Sequence, residues 1–325
     1  MGETELIERI ATRFIGLPTP EAIAVVQGIG DDCAVVQVGK QMLVLTVDML
    51  VEGVHFRLDW TDPHALGWKA LAVNLSDIAA MGGVPALALL SVALPAQRGG
   101  AWLDALIAGI AECARTYGCT LVGGDTNRSE QVILDIAVVG TVDGTPVMRS
   151  GAQPGDWLMV TGSLGGSRAG LLVLMAGTSH QVDLTPHLKP IPRLAEGQIA
   201  RAEGVHAMMD ISDGLSADLP KLLHASGVGA VVSQSAVPVH PAARQWAEAH
   251  QLDPTVFAME GGEDYELLLA VAPADAERLQ QRMQAQVGTP LTRIGTICAE
   301  PNLWLETTSG QRTAWTLKGW DHFSP

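Results

Sequence analysis

Six acid-bearing segments between Gly28 and Glu266 contain the residues of this chain that are best suited to chemistry. Most of them lie beside Gly or Ser and next to an apolar run, which predicts that the acids stand at the ends of strands. An acid there is poorly placed for a surface salt bridge, but it can hold a divalent cation and, through it, a phosphate. The segments are GIGDD at 28–32, TVD at 46–48, NLSD at 74–77, GGDT at 123–126, DISDG at 210–214 and GGEDYE at 261–266.

Aspartate dominates these segments, and each one alone has a structural interpretation as a turn former or a helix cap. Asp77 differs, because a carboxylate within an apolar, Ala-rich helix has to face a site or a cation. Thr46 adds an oxygen on the same strand face as Asp48. The set is Asp32, Asp48, Asp77, Asp125, Asp210 and Asp213. With almost no His or Cys beside them, these hard oxygen ligands predict several Mg²⁺ ions and hence phosphoryl transfer, or hydrolysis, of a nucleoside triphosphate.

Two glycine-rich segments have more than one interpretation. In the segment 28–32 the glycines permit a close backbone approach and the paired aspartates repel unless a cation lies between them, but a turn with an Asx cap explains the same residues. The loop from Gly162 to Gly166 follows a strand and opens a helix, so its amides could bind an anion. It has neither the Lys of a P-loop nor GxGxxG spacing, which favours a plain tight turn.

Four further side chains are candidates for binding a substrate. Arg149 lies at the junction of the two halves, where it can reach a phosphate. His55 could contact a substrate or serve as a capping or core residue. Glu263 could stabilise a cationic group or cap the strand that follows it. Trp320 could stack on a flat cationic ring, although packing explains it as well.

Composition bounds the class of protein. A chain of 325 residues with 47% apolar and 17% charged residues predicts a folded protein of two domains. The net charge of −15 argues against nucleic acid as a partner. The four cysteines form no CxxC pair, which disfavours zinc and a disulfide framework. With no signal peptide and no apolar run of membrane-spanning length, we expect a cytoplasmic protein without a membrane partner.

Local patterns place the acids on elements. Asp62-Pro63 predicts a helix start, and the helix runs to Met81 with Asn74 and Asp77 three residues apart. Gly118 predicts the end of a helix that begins at Trp102. Strands over 42–47, 120–122, 206–211 and 265–271 precede or follow acids. A turn-rich stretch near residue 148 predicts the boundary between domains 1–148 and 149–325, and the lack of strict βαβ alternation predicts an α+β fold.

Taken in order along the chain, these segments resemble the thiamine-monophosphate kinase family. The resemblance rests on 28–32, 46–56, 69–82, 123–126, 149–152, 210–215, 261–267 and GWDHF at 319–323. The GDD and DxSDG elements alone would indicate only the wider superfamily, which includes aminoimidazole ribonucleotide synthetase.

The resemblance implies ATP-dependent, Mg²⁺-dependent phosphorylation of thiamine monophosphate to thiamine diphosphate by a homodimer whose N-terminal sheets join. It implies that Asp32, Thr46, Val47 (through its main-chain oxygen), Asp48, Asp77, Asp125, Asp210 and Asp213 hold magnesium. It places Tyr117, Gly124, Arg149 and Ser212 at ATP, and His55, Glu263 and Trp320 at thiamine monophosphate. It assigns no general base and no covalent nucleophile. The alternatives are another ATP-using enzyme of the superfamily, or a sensor of nucleotide or thiamine diphosphate without catalysis.

Overall fold

The N-terminal half of the chain forms a six-stranded sheet with the order β1-β2-β3-β6-β4-β5. Neighbouring strands are antiparallel except β4 and β5, which are parallel. The structure, a computed structural model, describes residues 2–14, 16–177 and 182–315. The elements of this half are α1 (Glu3–Phe14), β1 (Ile23–Gln27), β2 (Ala34–Val38), β3 (Gln41–Val51), α2 (Pro63–Ala80), β4 (Val84–Leu94), α3 (Ala101–Tyr117), β5 (Thr120–Arg128) and β6 (Ile133–Val142).

The C-terminal half forms a seven-stranded sheet with the order β13-β12-β9-β11-β7-β10-β8. Its pairs are antiparallel except β12 and β9. Two mixed sheets with helices packed against them confirm the predicted α+β fold class. The elements are β7 (Trp157–Thr161), α4 (Gly166–Ala176), α5 (Thr185–Leu188), α6 (Leu194–Ala202), β8 (Ala207–Asp210), α7 (Leu215–Ser226), β9 (Gly229–Ser233), α8 (Pro241–Ala249), α9 (Pro254–Met259), β10 (Leu267–Val271), α10 (Pro273–Val287), β11 (Leu291–Cys298), β12 (Leu303–Glu306) and β13 (Arg312–Ala314).

Helix α2 lies between the two halves and is buried nearly all round. It begins as the sequence predicts, because the Asp62 side chain accepts hydrogen bonds from the amides of His64 and Ala65. A Cβ on Gly67 would lie 2.0 Å from the carbonyl oxygen of Leu106 in α3. A Cβ on Gly197 in α6 would lie 2.0 Å from that of Ala79. Glycines therefore let α2 approach both an N-terminal and a C-terminal helix at backbone distance.

Two strands are longer than the sequence predicts, and this changes the placement of two acids. Strand β3 continues to Val51 because it pairs with β6 along its whole length. Strand β5 continues to Arg128 because it pairs with β4. Asp48 and Asp125 therefore lie inside strands, and the expectation that they stand at strand ends is wrong. Asp210 is the last residue of β8, one residue before the predicted end of that strand.

The segment before β10 is irregular where the sequence predicts a strand from Tyr265. Glu263 and Tyr265 have φ values of +63° and +52°, which side chains with a Cβ rarely adopt. Strand β10 therefore begins only at Leu267. Positive φ at two bulky residues indicates a loop whose shape the surrounding contacts impose.

One face of the N-terminal sheet packs on α2, and the other carries exposed apolar side chains. These exposed residues on β3 and β4 are Val47, Met49, Leu87 and Leu89. An apolar patch of this kind on a folded chain usually marks an interaction surface. None of the helices in the described part of the chain combines the length and the apolar character that a membrane span requires. The domain boundary near residue 148 stays a prediction.

Candidate active site

Three predicted metal ligands meet at the junction of the two halves. Asp32 follows β1, Asp77 lies on α2 and Asp210 ends β8. One carboxylate oxygen from each lies within 4.8 Å of the others. Burial raises the pKa values of Asp77 and Asp210 well above their usual range, and neighbouring carboxylates raise them further. Three acids held this close in a buried place require a cation or protons between them.

The donor set of this carboxylate cluster (Asp32, Asp77 and Asp210) fits a magnesium ion. Asp32 Oδ2 is buried and has no hydrogen-bond partner among the described residues. A buried carboxylate oxygen without a partner is costly, and a divalent cation among three hard oxygen ligands would satisfy it. The orphaned oxygen is therefore an observation, independent of any sequence motif, that favours a metal here.

Strand β3 adds oxygen atoms to the same side of the sheet. Thr46 Oγ1 donates a short hydrogen bond to Asp77 Oδ2. The amide of Asp48 donates to Asn74 Oδ1 at 2.9 Å, which fixes the strand to α2. Burial raises the pKa of Asp48 to about 6, and the charges of Asp213, Asp135 and Asp32 contribute. The Val47 side chain points the opposite way, to the exposed face of the sheet, so only a main-chain role at the cluster is open to it.

Asp213 is held by a lysine. Lys221 Nζ lies 2.6 Å from Asp213 Oδ2 and 2.8 Å from Asp218 Oδ1. Asp218 is fully buried, and its Oδ2 accepts the amides of Ser212 and Asp213 at 2.9 Å each. Asp218 thus shapes the loop that presents Ser212 and Asp213, while Lys221 supplies a positive charge at the carboxylate that the sequence assigns to metal.

Asp125 stands apart from the carboxylate cluster. Its strand β5 lies at the edge of the sheet, where Asp125 is exposed and pairs with Ser91. Gly124 beside it has a structural requirement of its own. With φ at +151°, a Cβ there would lie 1.8 Å from the carbonyl oxygen of Leu90. The sequence therefore groups Asp125 with the other five acids, but within the described residues the fold does not bring it to Asp32, Asp77 and Asp210.

Arg149 binds both aspartates of the GDD segment. Its backbone amide donates to Asp31 Oδ2 at 3.1 Å, and its Nε donates to Asp32 Oδ1 at 3.1 Å. Asp31 Oδ1 also accepts the amide of Asp32 at 2.9 Å, a contact between adjacent residues and not the i to i+2 bond of an Asx turn. The two aspartates of this segment thus have different partners. Asp31 shapes the turn, and Asp32 reaches the cluster.

The Gly162–Gly166 loop binds a carboxyl group of its own chain. The amides of Gly165 and Ser167, at the start of α4, donate to the two carboxylate oxygens of Asp264 at 2.5 and 3.2 Å. Burial raises the pKa of Asp264 to about 8 although the amides oppose this. The loop amides hold an internal carboxylate, which agrees with its interpretation as a structural turn.

Comparison with known proteins gives the family. Residues 30–142 match the N-terminal domain model of AIR synthase related protein, and residues 153–306 match the C-terminal one. The chain is 38% identical over 331 residues to thiamine-monophosphate kinase of Salmonella typhimurium, covering 99% of this chain and 98% of that protein. The solved structure of AaThiL complexed with AMPPCP and TMP superposes with a TM-score of 0.86 at 32% identity, covering 99% of this chain and 97% of that one.

This chain belongs to the thiamine-monophosphate kinase family. The fold alone would not decide this, because the hydrogenase maturation protein HypE of E. coli also superposes, with a TM-score of 0.73. That protein is 24% identical and covers 86% of this chain and 87% of its own, which shows a shared fold and nothing more. Near-complete coverage at 38% identity distinguishes the kinase family.

The remaining residues that the thiamine-monophosphate kinase resemblance selects come from separate segments of the chain. His55 follows β3, and its Nδ1 accepts the amide of Val51 at 3.0 Å. Tyr117 ends α3, and its ring lies edge-on to Trp68 with centroids 5.9 Å apart. Ser212 lies in the loop after β8, and its carbonyl oxygen accepts the amide of Glu263 at 2.7 Å. Trp320 lies outside the described residues.

Glu263 is the best defined of the residues predicted for the substrate of a thiamine-monophosphate kinase. Its Oε1 lies 2.7 Å from Lys69 Nζ, and its Oε2 lies 3.2 Å from His187 Nδ1. Burial would raise the pKa of Glu263, but Lys69 and His187 together hold it well below its usual range. Its carboxylate is therefore ionised despite its depth.

Sequence reasoning missed several residues that build the site. Ser76, Lys69 and Asn74 are buried on α2, where they bind Asp210, Glu263 and the amide of Asp48. The sequence did contain a signal for these three residues, because polar side chains within an otherwise apolar helix need partners. His187 and Lys221 had no comparable signal, since only the tertiary structure brings them to Glu263 and Asp213.

Proposed function

We propose that this protein transfers the γ-phosphate of ATP to thiamine monophosphate, forming thiamine diphosphate. The observation that carries the proposal is the buried carboxylate cluster with its orphaned Asp32 Oδ2, set beside Arg149 at the junction of the two halves. The family supports the choice of substrates. AMPPCP is an analogue of ATP, and a relative of 32% identity has been solved with AMPPCP and TMP.

The carboxylates of the cluster, with Asp48, Asp213 and the Thr46 hydroxyl, would hold the magnesium ions. Bound magnesium neutralises the phosphate oxygens and favours charge build-up on the transferred group. Asp48, Asp77 and Asp210 lie in strands and a helix of both halves, so these acids would restrict where the triphosphate can lie. Asp125 and the main chain of Val47 belong to this proposal through the family pattern alone.

The side chain of Arg149 is suited to bind a phosphate of the nucleotide. Its guanidinium now pairs with Asp32, and a planar fork of donors binds a phosphate as well as a carboxylate. With Asp32 engaged by a bound cation, the Arg149 guanidinium would be free to bind a phosphate oxygen. Tyr117, Gly124 and Ser212 complete the proposed nucleotide side.

Transfer is proposed to be direct and in line. A phosphate monoester is largely ionised at neutral pH, so an oxygen of thiamine monophosphate can attack the γ-phosphorus without a strong base. The difficulty is to bring two anions together, and the chain meets it by positioning and by the cations that its acids hold. The ionised Glu263 carboxylate, with His55 and Trp320, would bind the thiamine portion.

A homodimer is proposed from the exposed apolar face of the N-terminal sheet. Val47, Met49 and Leu89 are 59%, 50% and 46% exposed in the single chain, and a second copy of the same face would cover them. A cytoplasmic location stays a prediction.

The test is an assay of purified protein with ATP, Mg²⁺ and thiamine monophosphate, scored for thiamine diphosphate by chromatography. We expect product that depends on all three. Product from a different acceptor but not from thiamine monophosphate would favour another enzyme of the superfamily. Tight binding of ATP without any product would favour the sensor.

A further inference from the structure

Behind Glu263 lies a buried group of three side chains from three different elements. Lys69 comes from α2, His187 from α5 and Ser167 from the start of α4. Each is 1–2% exposed, whereas the Glu263 side chain is 24% exposed. The Glu263 side chain is thus the partly exposed member of this arrangement, and the Lys69 ammonium and the His187 imidazole are buried beside its carboxylate.

The hydrogen positions follow from the partners. A carboxylate oxygen only accepts, so the His187 Nδ1 that faces Glu263 Oε2 at 3.2 Å carries a hydrogen. The same Nδ1 lies 3.0 Å from Ser167 Oγ, so Ser167 and Glu263 share this ring nitrogen. Burial lowers the pKa of His187, and the charge of Lys69 lowers it further, although Glu263 opposes both.

Lys69 supplies the full positive charge. Its Nζ lies 2.7 Å from Glu263 Oε1, yet it makes no regular hydrogen bond with any residue in the described ranges. An ammonium group has three donors, so burying it beside one acceptor costs folding free energy. A buried group that is retained at such a cost is a candidate for a functional role. The backbone of Glu263 is also constrained, with φ at +63° and its amide bound to the carbonyl oxygen of Ser212.

We infer that Lys69 and His187 are positioning residues for substrate recognition, because they hold Glu263 ionised and oriented towards a cationic or N–H-donating heteroaromatic ring. The inference rests on the proposed function and deepens it, since thiamine carries such rings. The positive charge of Lys69 balances the negative charge of the Glu263 carboxylate, and His187 sets the rotation of that carboxylate. The ligand would contact the exposed part of the Glu263 side chain.

The test compares Lys69→Met and His187→Gln with Glu263→Gln, the double variant Lys69→Met/Glu263→Gln, and Lys69→Arg. Lys40→Met, in the exposed turn between β2 and β3, is the matched control. Steady-state kinetics gives kcat and the KM of each substrate, calorimetry gives the Kd of thiamine monophosphate, and thermal unfolding reports folding.

We expect Lys69→Met and His187→Gln to raise the KM and Kd for thiamine monophosphate about tenfold or more, as loss of a charge-assisted contact implies. The KM for ATP should change less than about twofold. Lys69→Arg should recover part of the affinity. The double variant should bind no more weakly than Glu263→Gln alone, because Lys69 acts through Glu263.

Three outcomes in the variants would overturn the inference while the proposed function stands. One is unchanged affinity for thiamine monophosphate in folded Lys69→Met and His187→Gln. Another is an equal rise in the KM of both substrates, which indicates a general structural role. The third is full additivity of Lys69→Met and Glu263→Gln. If Lys69→Met does not fold, the affinities of His187→Gln and of the charge-neutral double variant decide whether the inference stands. Wild-type protein that neither binds nor phosphorylates thiamine monophosphate would refute the proposed function itself, and the inference with it.

Discussion

Ser76 Oγ donates a 2.6 Å hydrogen bond to Asp210 Oδ2, and this fully buried contact joins the two halves of the chain at the carboxylate cluster. The two residues are 134 positions apart in sequence. Ser76 precedes Asp77 on α2, so the same helix turn offers one carboxylate to the site and fixes a second one from the other half. The relative placement of the halves and the geometry of the cluster are therefore coupled.

Asp48→Asn should remove most of the activity. The substitution keeps the size of the side chain and the amide contact with Asn74, but it removes a charged oxygen beside the cluster. Since loss of an outer partner of a metal ligand typically costs about 10- to 100-fold, loss of a ligand should lower kcat by at least about 100-fold. Asp104→Asn, on the exposed side of α3, is the control for steady-state assays. Near-wild-type turnover in Asp48→Asn would remove it from the metal site.

Asp77→Asn should stabilise the protein in the absence of metal while it damages catalysis. Burial and the carboxylates around it raise the pKa of Asp77, and an acid whose pKa is raised on folding destabilises the folded state at any pH above its unfolded pKa. Asn can still accept the Thr46 hydrogen bond. Thermal unfolding in EDTA should show a higher Tm for Asp77→Asn, by about 2–4 °C per kcal/mol gained. Magnesium should raise the Tm of the wild type more than that of the variant, and the opposite order would contradict the metal assignment.

Asp264 should make stability fall as pH rises. Its pKa in the folded state is about 8 against 3.8 in the unfolded chain, so the folded state binds more protons across that interval. The free energy of unfolding should therefore decrease from about pH 4 to pH 8 and level off above, with a slope from this group of at most about 1.4 kcal/mol per pH unit. Asp264→Asn should lose this contribution in urea titrations at several pH values. Parallel curves for the two proteins would show that Asp264 is ionised throughout.

Lys221→Met should tighten the binding of divalent cations. Lys221 Nζ lies 2.6 Å from Asp213 Oδ2 and competes there with a metal ion. Removing it should lower the Mn²⁺ or Mg²⁺ concentration at half-saturation, measured by calorimetry with AMPPCP present. Lys40→Met should leave that concentration unchanged. Weaker metal binding in Lys221→Met would instead show that Lys221 shapes the Asp213 loop for the metal.

Leu89→Asp should separate the proposed dimer. Leu89 lies on the exposed apolar face of the N-terminal sheet, and a buried, unpaired charge at an interface is strongly unfavourable. Light scattering after size-exclusion chromatography should give the mass of a dimer for the wild type and of a monomer for the variant. Leu252→Asp changes a leucine of similar exposure, 50%, outside this face and should leave the mass unchanged. A monomeric wild type would rule out the dimer.

The sequence by itself determined the local elements that carry the chemistry. Asp62-Pro63 predicted the start of α2 and Gly118 predicted the end of α3, because helix caps act within a few residues. The order of acidic segments along the chain identified the family. The sequence gives the types and order of the side chains in a metal site, although it does not give their geometry.

Only the tertiary structure decided which acids meet. Asp32, Asp77 and Asp210 converge because α2 lies against β8 of the other half, while Asp125, in an equally suggestive motif, lies on an exposed edge strand. The same is true of Lys69, His187 and Glu263, which come from distant parts of the chain. Contacts of this kind depend on packing between elements, and side-chain periodicity along one segment carries no information about which other segment will cover it.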